Sequence, residues 1–366
     1  MNKLKIGIVG TTRGADFYND FNMFDNVEVT SVMDTDQQAL LDFKNTYEVE
    51  NTFDDYENLL HSNIDVVVLA SPIHLHAKQA IAALDKNIHV LSEVTAATNL
   101  EDCKLLFEAV KRSKAQYMMA ENYCYIRENV AINNMIKKGL FGDVYFAEGE
   151  YLHNVRYLHY DNEGNPTWRR KETMGKRGCT YGTHSLGPIL DWFNDEKIKW
   201  VNCLGSGTHT IEEYENDDTT VMLCQTETGS LIKIRLDMVS NRPHNMGYYS
   251  LQGTKGCYEA PRITGEKHKV WLEDYSRDSE EWINLEDIDH EFLPEEYIHM
   301  PVERKDSNHW GADYFMIKDF IDCITNNKPV TIDIYKALQY TIPGILSEQS
   351  INSKGRAIEV PDVSKW

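Results

Sequence analysis

The chain contains no apolar run approaching the roughly 20 residues needed to span a bilayer, so nothing in it reads as a membrane-crossing helix. It is also poor in positive charge: 37 Lys and Arg stand against 58 Asp and Glu, a formal net charge of −21. An acidic balance of that size argues against nucleic acid or an anionic membrane as a partner. No C-x-x-C occurs among the 7 cysteines (Cys103, Cys124, Cys179, Cys203, Cys224, Cys257, Cys323). The scattered, odd set gives no zinc signal and reads as small buried apolar residues in a reducing, cytoplasmic setting. Strand character starts at Leu4, which leaves no room for a secretory signal ahead of it. There is no internal repeat and no low-complexity linker. What is present is 366 residues with 42% hydrophobic content, enough for about two domains with packed cores.

The first third alternates strand and helix. Strand patterns fall at Leu4–Val9, Val27–Met33, Val66–Ala70, His89–Ser92 and Gln116–Ala120, with helical patterns between them at Gln37–Tyr47, Tyr56–His61, His76–Lys86 and Leu100–Ser113. Such alternation predicts an α/β domain: a parallel sheet with helices on both faces, over residues 1–123. From 124 to 366 the pattern changes. A helix at Arg127–Lys138 leads to strands at Val144–Leu152, Lys199–Gly205, Thr219–Thr226, Ser230–Val239 and Gly247–Gly253. Helices return at Ser185–Phe193, Trp310–Ile324 and Ile334–Ser353. This predicts an α+β domain with an open, largely antiparallel sheet, whose C-terminal segment is free to pack back on the first domain. Residues Glu273 to Glu296 are densely acidic without clear periodicity, and read as a solvated loop or insertion, with a lid as the alternative.

The chemistry-bearing residues fall at the carboxyl ends of the predicted parallel strands, where ligands of such sheets bind. Gly10-Thr11-Thr12-Arg13-Gly14 follows the first strand, and Asp34 closes the second. A buried strand, a tight glycine turn, a helix start and a carboxylate about 20 residues on form a dinucleotide-binding layout. The turn brings backbone N–H groups to a pyrophosphate at a helix N-terminus, and the carboxylate accepts from the ribose hydroxyls. The motif is degraded, because Thr12 stands where a middle glycine belongs; Arg13 is a candidate to compensate with a cation near the phosphates. No Lys or Arg flanks Asp34, which favours NAD over NADP.

Further candidates follow the later strands. Ser71, Pro72, His74 and His76 come after the third strand pattern, Glu93 after the fourth and Asn122 after the fifth. These are candidate cofactor contacts, with helix capping the plain alternative for the histidines. Trp168, Arg169, Arg170, Lys171, Lys176 and Arg177 make a basic cluster in an acidic chain; it steers an anionic cofactor or substrate, or simply balances charge. Tyr181-Gly182-Thr183-His184 precedes a helix. Its glycines allow close approach, and Tyr181 and His184 are candidate proton-handling groups. His244, between two strand patterns, is a further candidate.

Taken as a set, these residues resemble the Gfo/Idh/MocA family, named for glucose-fructose oxidoreductase and inositol dehydrogenase. The resemblance spans essentially the whole chain. It rests on the degenerate glycine turn, Ser71 to His76, Ser92-Glu93-Val94, Gly139-Leu140-Phe141-Gly142, Gly253-Thr254-Lys255-Gly256 and His309-Trp310-Gly311-Ala312-Asp313. It implies a Rossmann domain followed by an α+β domain whose sheet supports substrate binding and homo-oligomer contacts.

Two departures stand out. Dehydrogenases of the family carry Glu-Lys-Pro where this chain has Glu93-Val94-Thr95, and an Asp where it has Thr180. A glycosidase branch shares these departures and resembles α-N-acetylgalactosaminidase. It has a similar Tyr-x-x-His-x-x-Gly-Pro segment, matched by Tyr181, His184, Gly187 and Pro188. Met119 to Asn122, Ala147 to His153 and Val360-Pro361-Asp362 resemble it too. In that branch NAD⁺ oxidises C3 of the sugar, a base takes the acidified C2 proton, the glycosidic bond is eliminated, water adds and the hydride returns. The resemblance thus implies hydride transfer at a ring carbinol of a sugar or polyol. Three outcomes stay open: an oxidoreductase, a glycosidase that recycles its NAD, and a cofactor-binding sensor.

Overall fold

The computed structural model describes residues 3–161, 163–172, 176–239, 241–300 and 308–366, without the side chains of residues 171 and 308. The chain forms two units. One comprises Met1–Asn122, Asp306–Leu338 and Trp366; the other comprises Tyr123–Lys305 and Gln339–Lys365.

The first unit is built on a parallel sheet of β1 (Leu4–Val9), β2 (Val27–Met33), β3 (Asn51–Phe53), β4 (Val66–Leu69), β5 (His89–Ser92) and β6 (Tyr117–Met119), in the order β3-β2-β1-β4-β5-β6. β-Branched and aliphatic runs dictate it. All four residues of β4 are fully buried, and each such side chain contributes about 1.5–3 kcal/mol. The helix Gln37–Tyr47 starts where the Asp36 carboxylate accepts from the amides of Gln38 and Ala39, a side-chain cap. Asn99 caps Leu100–Arg112 in the same way, through the amide of Asp102. The strand order reverses between β1 and β4, which opens a crevice at their carboxyl ends. The helix Ala312–Thr325, far along the sequence, packs beside Thr11–Phe21 in this unit. Phe24 stacks on Tyr314 with ring centroids 5.3 Å apart.

The second unit is built on a sheet of β7 (Val144–Leu152), β8 (Ile198–Gly205), β9 (Thr220–Thr226), β10 (Leu231–Asp237), β11 (Asn245–Gly253), β12 (Gly256–Glu259), β13 (Lys269–Leu272), β14 (Ile283–Asn284) and β15 (Ile358–Glu359). Their order is β14-β13-β12-β11-β7-β10-β9-β8-β15. β7 and β10 pair in parallel, and the other pairings are antiparallel. One face carries the helix Thr183–Trp192 against Gly149, where a Cβ would lie 2.8 Å from the Ser185 Cβ. The other face carries a charge ladder in which Lys233 and Arg262 both pair with Glu148, at 2.6 and 3.2 Å.

The acidic stretch Glu273 to Glu296 departs from its expected solvated loop. It contains β14 and the short helices Leu285–Ile288 and Glu295–Ile298. Leu285, Phe292 and Leu293 are buried, as is Tyr297 just beyond the stretch. Asp289 is buried too, held by both arms of the Arg127 guanidinium at 3.0 Å. Three apolar anchors and one bidentate ion pair order a segment whose composition alone reads as solvated. No helix among the described residues is long and apolar enough to cross a membrane.

Candidate active site

In the first unit, β1 ends on Gly10 at φ 93°, where a Cβ would sit 2.6 Å from the Ala70 carbonyl oxygen. Only glycine fits both the conformation and the space. Gly14 is constrained by space alone, its missing Cβ falling 2.6 Å from Ile8 Cγ2. Thr11 donates through its backbone amide and its hydroxyl to Asp34 Oδ2, at 2.8 and 2.7 Å. The amide of Asp36 donates to Asp34 Oδ1 at 3.1 Å. The carboxylate at the end of β2 is therefore locked to the helix start before any ligand arrives. Thr12 is exposed.

The sequence offers Arg13 to the phosphates; the structure commits it to carboxylates. Its Nε donates to Glu93 Oε1 at 2.6 Å, Nη2 to Asp313 Oδ2 at 2.8 Å and Nη1 to Asp16 Oδ2 at 3.1 Å. The guanidinium also lies 4.7 Å from the centroid of the Phe17 ring. Asp313 further accepts from Asn122 Nδ2 at 2.7 Å and meets His309 Nδ1 at 3.0 Å. Burial opposes ionisation of Asp313, but the Arg13 charge and the His309 and Asn122 contacts outweigh it and hold the carboxyl well below its ordinary range. His309 is shifted upward: burial disfavours its charge, and Asp313 overrides that. Asn122 is buried, and its Oδ1 has no hydrogen-bond partner among the described residues.

His76 has a structural place. It is buried, with Nδ1 at 3.1 Å from the Thr95 carbonyl and Nε2 at 2.8 Å from that of Ser71. Burial pushes its pKa down, and a neutral ring donates to one of these oxygens at a time. Pro72 precedes the short turn Ile73–Leu75 that carries half-buried His74. Ser71 donates to Gln79.

A dinucleotide fits these residues. The glycine turn runs into a helix start with Thr12 exposed, Asp34 is preset at the end of β2, and Asn122 Oδ1 is a buried acceptor with no donor among the described residues.

In the second unit, Tyr181 and His184 come together around the start of the helix Thr183–Trp192. Their rings are 5.2 Å apart, edge to face. The loop before them is held by Ser347, whose Oγ accepts from the Cys179 amide at 2.7 Å. His184 is buried and stacks on Tyr123 at 4.2 Å. Tyr151 lies 5.3 Å from His184 and 5.8 Å from Tyr181. Its hydroxyl is 3.0 Å from His153 Nδ1, and the His153 ring is 4.6 Å from that of His244. The structure thus joins Tyr181, His184 and His244 through two residues to which sequence reasoning gave no role, Tyr151 and His153. Their i, i+2 spacing at the end of a strand, which places both on one face, is the signal that was available.

The basic cluster disperses. Arg169 lies over Trp168 at 4.4 Å. Burial pulls its pKa down, while Tyr181 and Tyr157 act in the opposite sense; Arg169 and Trp168 therefore belong with Tyr181 in this unit. Arg170 covers the Tyr214 ring at 4.2 Å. Arg177 is neutralised by Asp217 at 3.0 Å through two nitrogens, and Lys176 by Glu172 at 3.5 Å. The Lys171 side chain lies outside the described residues.

Two family models match the chain. "Oxidoreductase family, NAD-binding Rossmann fold" covers residues 4–121. "Glycosyl hydrolase 109, C-terminal domain" covers 125–210 and 199–366. A glycosyl hydrolase family 109 protein of Shewanella pealeana is 26% identical over 403 residues, covering 100% of this chain and 86% of the relative. An alpha-N-acetylgalactosaminidase of Shewanella oneidensis is 26% identical over 405 residues with the same coverage. Among solved structures, levoglucosan dehydrogenase in complex with NADH and L-sorbose superimposes with a TM-score of 0.84 at 18% identity, covering 99% of this chain and 100% of that one. The WlbA dehydrogenase of Bordetella pertussis, in complex with NADH and UDP-GlcNAcA, gives 0.78 at 20% identity, covering 98% of both. At such identities the structures speak to the fold, and the family models to descent. The chain belongs to glycosyl hydrolase family 109, built on the NAD-binding Rossmann domain of the Gfo/Idh/MocA oxidoreductases.

Proposed function

We propose that this protein is an NAD-dependent glycoside hydrolase that oxidises a ring carbinol of its sugar transiently and restores it within each cycle. The observation that carries the reading is the grouping of Tyr181, His184 and Tyr151 around one helix start. Elimination next to a ketone needs groups that move protons and steady an enolate; it does not need the paired carboxylates of direct glycoside hydrolysis. Val94, where family dehydrogenases place a lysine, supports the same choice.

The nicotinamide, when bound, supplies the hydride acceptor and later the donor. The chain's own residues do the rest. The Gly10–Gly14 turn and Asp34 hold the nucleotide, and Asn122 Oδ1 receives an N–H donor. Tyr181 takes the proton from the carbon beside the ketone, and His184 holds the neighbouring hydroxyl. Arg169, whose charge interacts with Tyr181, stabilises negative charge developing there. Asp34 repels a 2′-phosphate, so the cofactor is NAD rather than NADP.

The substrate class is a glycoside. N-acetylgalactosaminides are the first to test, because a relative bears that name. The plain oxidoreductase reading, with NADH released, is supported by the likeness to sugar dehydrogenases. Incubation with aryl glycosides and with free sugars, adding no cofactor, separates them. Aglycone release without net NADH supports the hydrolase, whereas stoichiometric NADH from free sugar replaces it with the dehydrogenase. Silence in both assays with NAD retained points to a sensor.

Leu204, Leu223 and Leu231 are exposed on neighbouring strands β8, β9 and β10, on the sheet face opposite the helix Thr183–Trp192. We assign this face to a homodimer or homotetramer, testable by light scattering. The 7 unpaired cysteines suit a cytoplasmic location.

A further inference from the structure

We propose that Tyr249 is a positioning residue for His184: its hydroxyl replaces the helical hydrogen bond that Pro188 withholds, and so sets where the imidazole stands. The inference rests on the reading above, in which His184 holds a sugar hydroxyl.

The helix Thr183–Trp192 carries a proline in its second turn. In an α-helix the carbonyl of one residue accepts from the amide four residues on. For His184 that residue is Pro188, which has no N–H. A proline ring also crowds the carbonyl four residues before it. The helix start brings no side-chain cap either, because Gly182 stands there. His184 therefore sits on a peptide whose oxygen the regular helical bond cannot satisfy, and that oxygen is buried. A buried carbonyl without a donor is costly.

Tyr249 meets the need from the sheet. Its Oη donates to the His184 carbonyl oxygen at 2.5 Å, and both residues are buried. Tyr249 stands opposite Gly149 in the β11–β7 register. The absent Gly149 side chain lets Ser185 come down onto the sheet, which brings the His184 peptide within reach of the phenol. The Tyr249 ring is itself held. Trp192, at the far end of the same helix, packs on it edge to face at 5.5 Å, and Trp192 Nε1 donates to the Asn129 carbonyl at 3.2 Å. The His184 imidazole stacks on Tyr123 at 4.2 Å with 22° between the planes. That stacking limits rotation of the ring, while the bond from Tyr249 fixes the backbone from which the ring departs. Two constraints of different kinds define one ring position, and a misplacement of about 1 Å in such a group can cost about 10²-fold in rate.

The test is a double-mutant cycle in the full-length protein. Tyr249→Phe keeps the ring and removes the donor. Pro188→Ala gives residue 188 an N–H, which closes the helical bond to His184. Tyr249→Phe should lose about 10- to 10²-fold in kcat with KM little changed, and the same change in the Pro188→Ala background should cost little. Full kcat in Tyr249→Phe, with stability alone reduced, overturns the proposal and leaves the bond structural. An equal loss in both backgrounds also overturns it, since the loss then comes from something other than the carbonyl. A second readout needs no turnover. In sugar-free protein carrying ¹³C,¹⁵N-histidine and ¹⁵N-serine, only His61–Ser62 and His184–Ser185 give paired carbonyl–amide signals. The carbonyl and imidazole signals of His184 should both shift in Tyr249→Phe and both return in the double variant. An unmoved carbonyl, or a shifted carbonyl beside an unmoved ring, overturns the proposal. If wild type turns over no sugar or glycoside, the functional reading fails, and these signals still decide whether Tyr249 positions the ring.

Discussion

Arg13 Nη2 donates to Asp313 Oδ2 at 2.8 Å across 300 residues of sequence. The same guanidinium holds Glu93 at 2.6 Å, so one cation neutralises two shielded carboxylates. Replacing it with Met takes the cation from Glu93 and leaves Asp313 with only His309 and Asn122, a loss of about 3–5 kcal/mol when a buried pair is broken from one side. Arg13→Lys should fall between, because a single ammonium cannot reproduce the fork. Denaturant unfolding measures both.

The pH dependence has a definite sign. Asp313 titrates lower in the folded protein than unfolded, so the unfolded chain binds more protons in the interval between the two values. Stability from this group is complete above the unfolded value of about 3.9 and is lost as pH falls through the folded one. His309, shifted upward, contributes below its unfolded value, about 6.5, and loses that contribution as pH rises through the folded one. Asp313→Asn should therefore flatten the acid limb of a urea-stability profile, and His309→Gln the decline above neutrality.

Asp34→Ala should weaken NAD binding by about tenfold to a hundredfold, the loss expected for hydrogen bonds to a charged group. It should also narrow the gap to NADP, since the anion that repels a 2′-phosphate is gone. Thr11→Val should produce a smaller loss for NAD, because the Thr11 amide still donates to Asp34. Fluorescence titration with each nucleotide reads both effects.

Gly149 supports the helix that carries His184, with the Ser185 Cβ 2.8 Å from where its own would be. Gly149→Ala should destabilise the protein by about 1–3 kcal/mol through overpacking. It should also lower kcat by shifting His184, while nucleotide affinity, set in the other unit, stays near wild type.

Tyr181→Phe and His184→Ala should each reduce kcat by about 10²–10⁴-fold, the usual span for a general acid–base group, with NAD binding retained. Near-normal turnover in both would remove them from the mechanism.

Residues acting through local pattern were legible early. The β1 run, the Gly10 turn and Asp34 announce themselves because strand period, backbone freedom and strand-end carboxylates are written within about 30 residues. The same holds for the Tyr181–His184 segment, which a helix start organises. The partners of Arg13 were not legible. A cation in a glycine turn suits phosphates as well as carboxylates, and nothing local points to Asp313. Nor did the acidic stretch before Glu296 disclose that Arg127 would neutralise Asp289 and let its apolar anchors bury.

Sequence by itself determined most of the longer strands and helices, the Gly10 turn that ends β1, and the family to which the chain belongs. These depend on near-neighbour sterics and on periodic burial, both encoded along the chain. Tertiary structure alone decided which charges pair and which rings touch: Arg13 with Asp313, Tyr151 with His184, His153 with His244. Those contacts join residues far apart in the chain, and Coulomb and packing energies fall on distance in space, which composition and spacing do not specify.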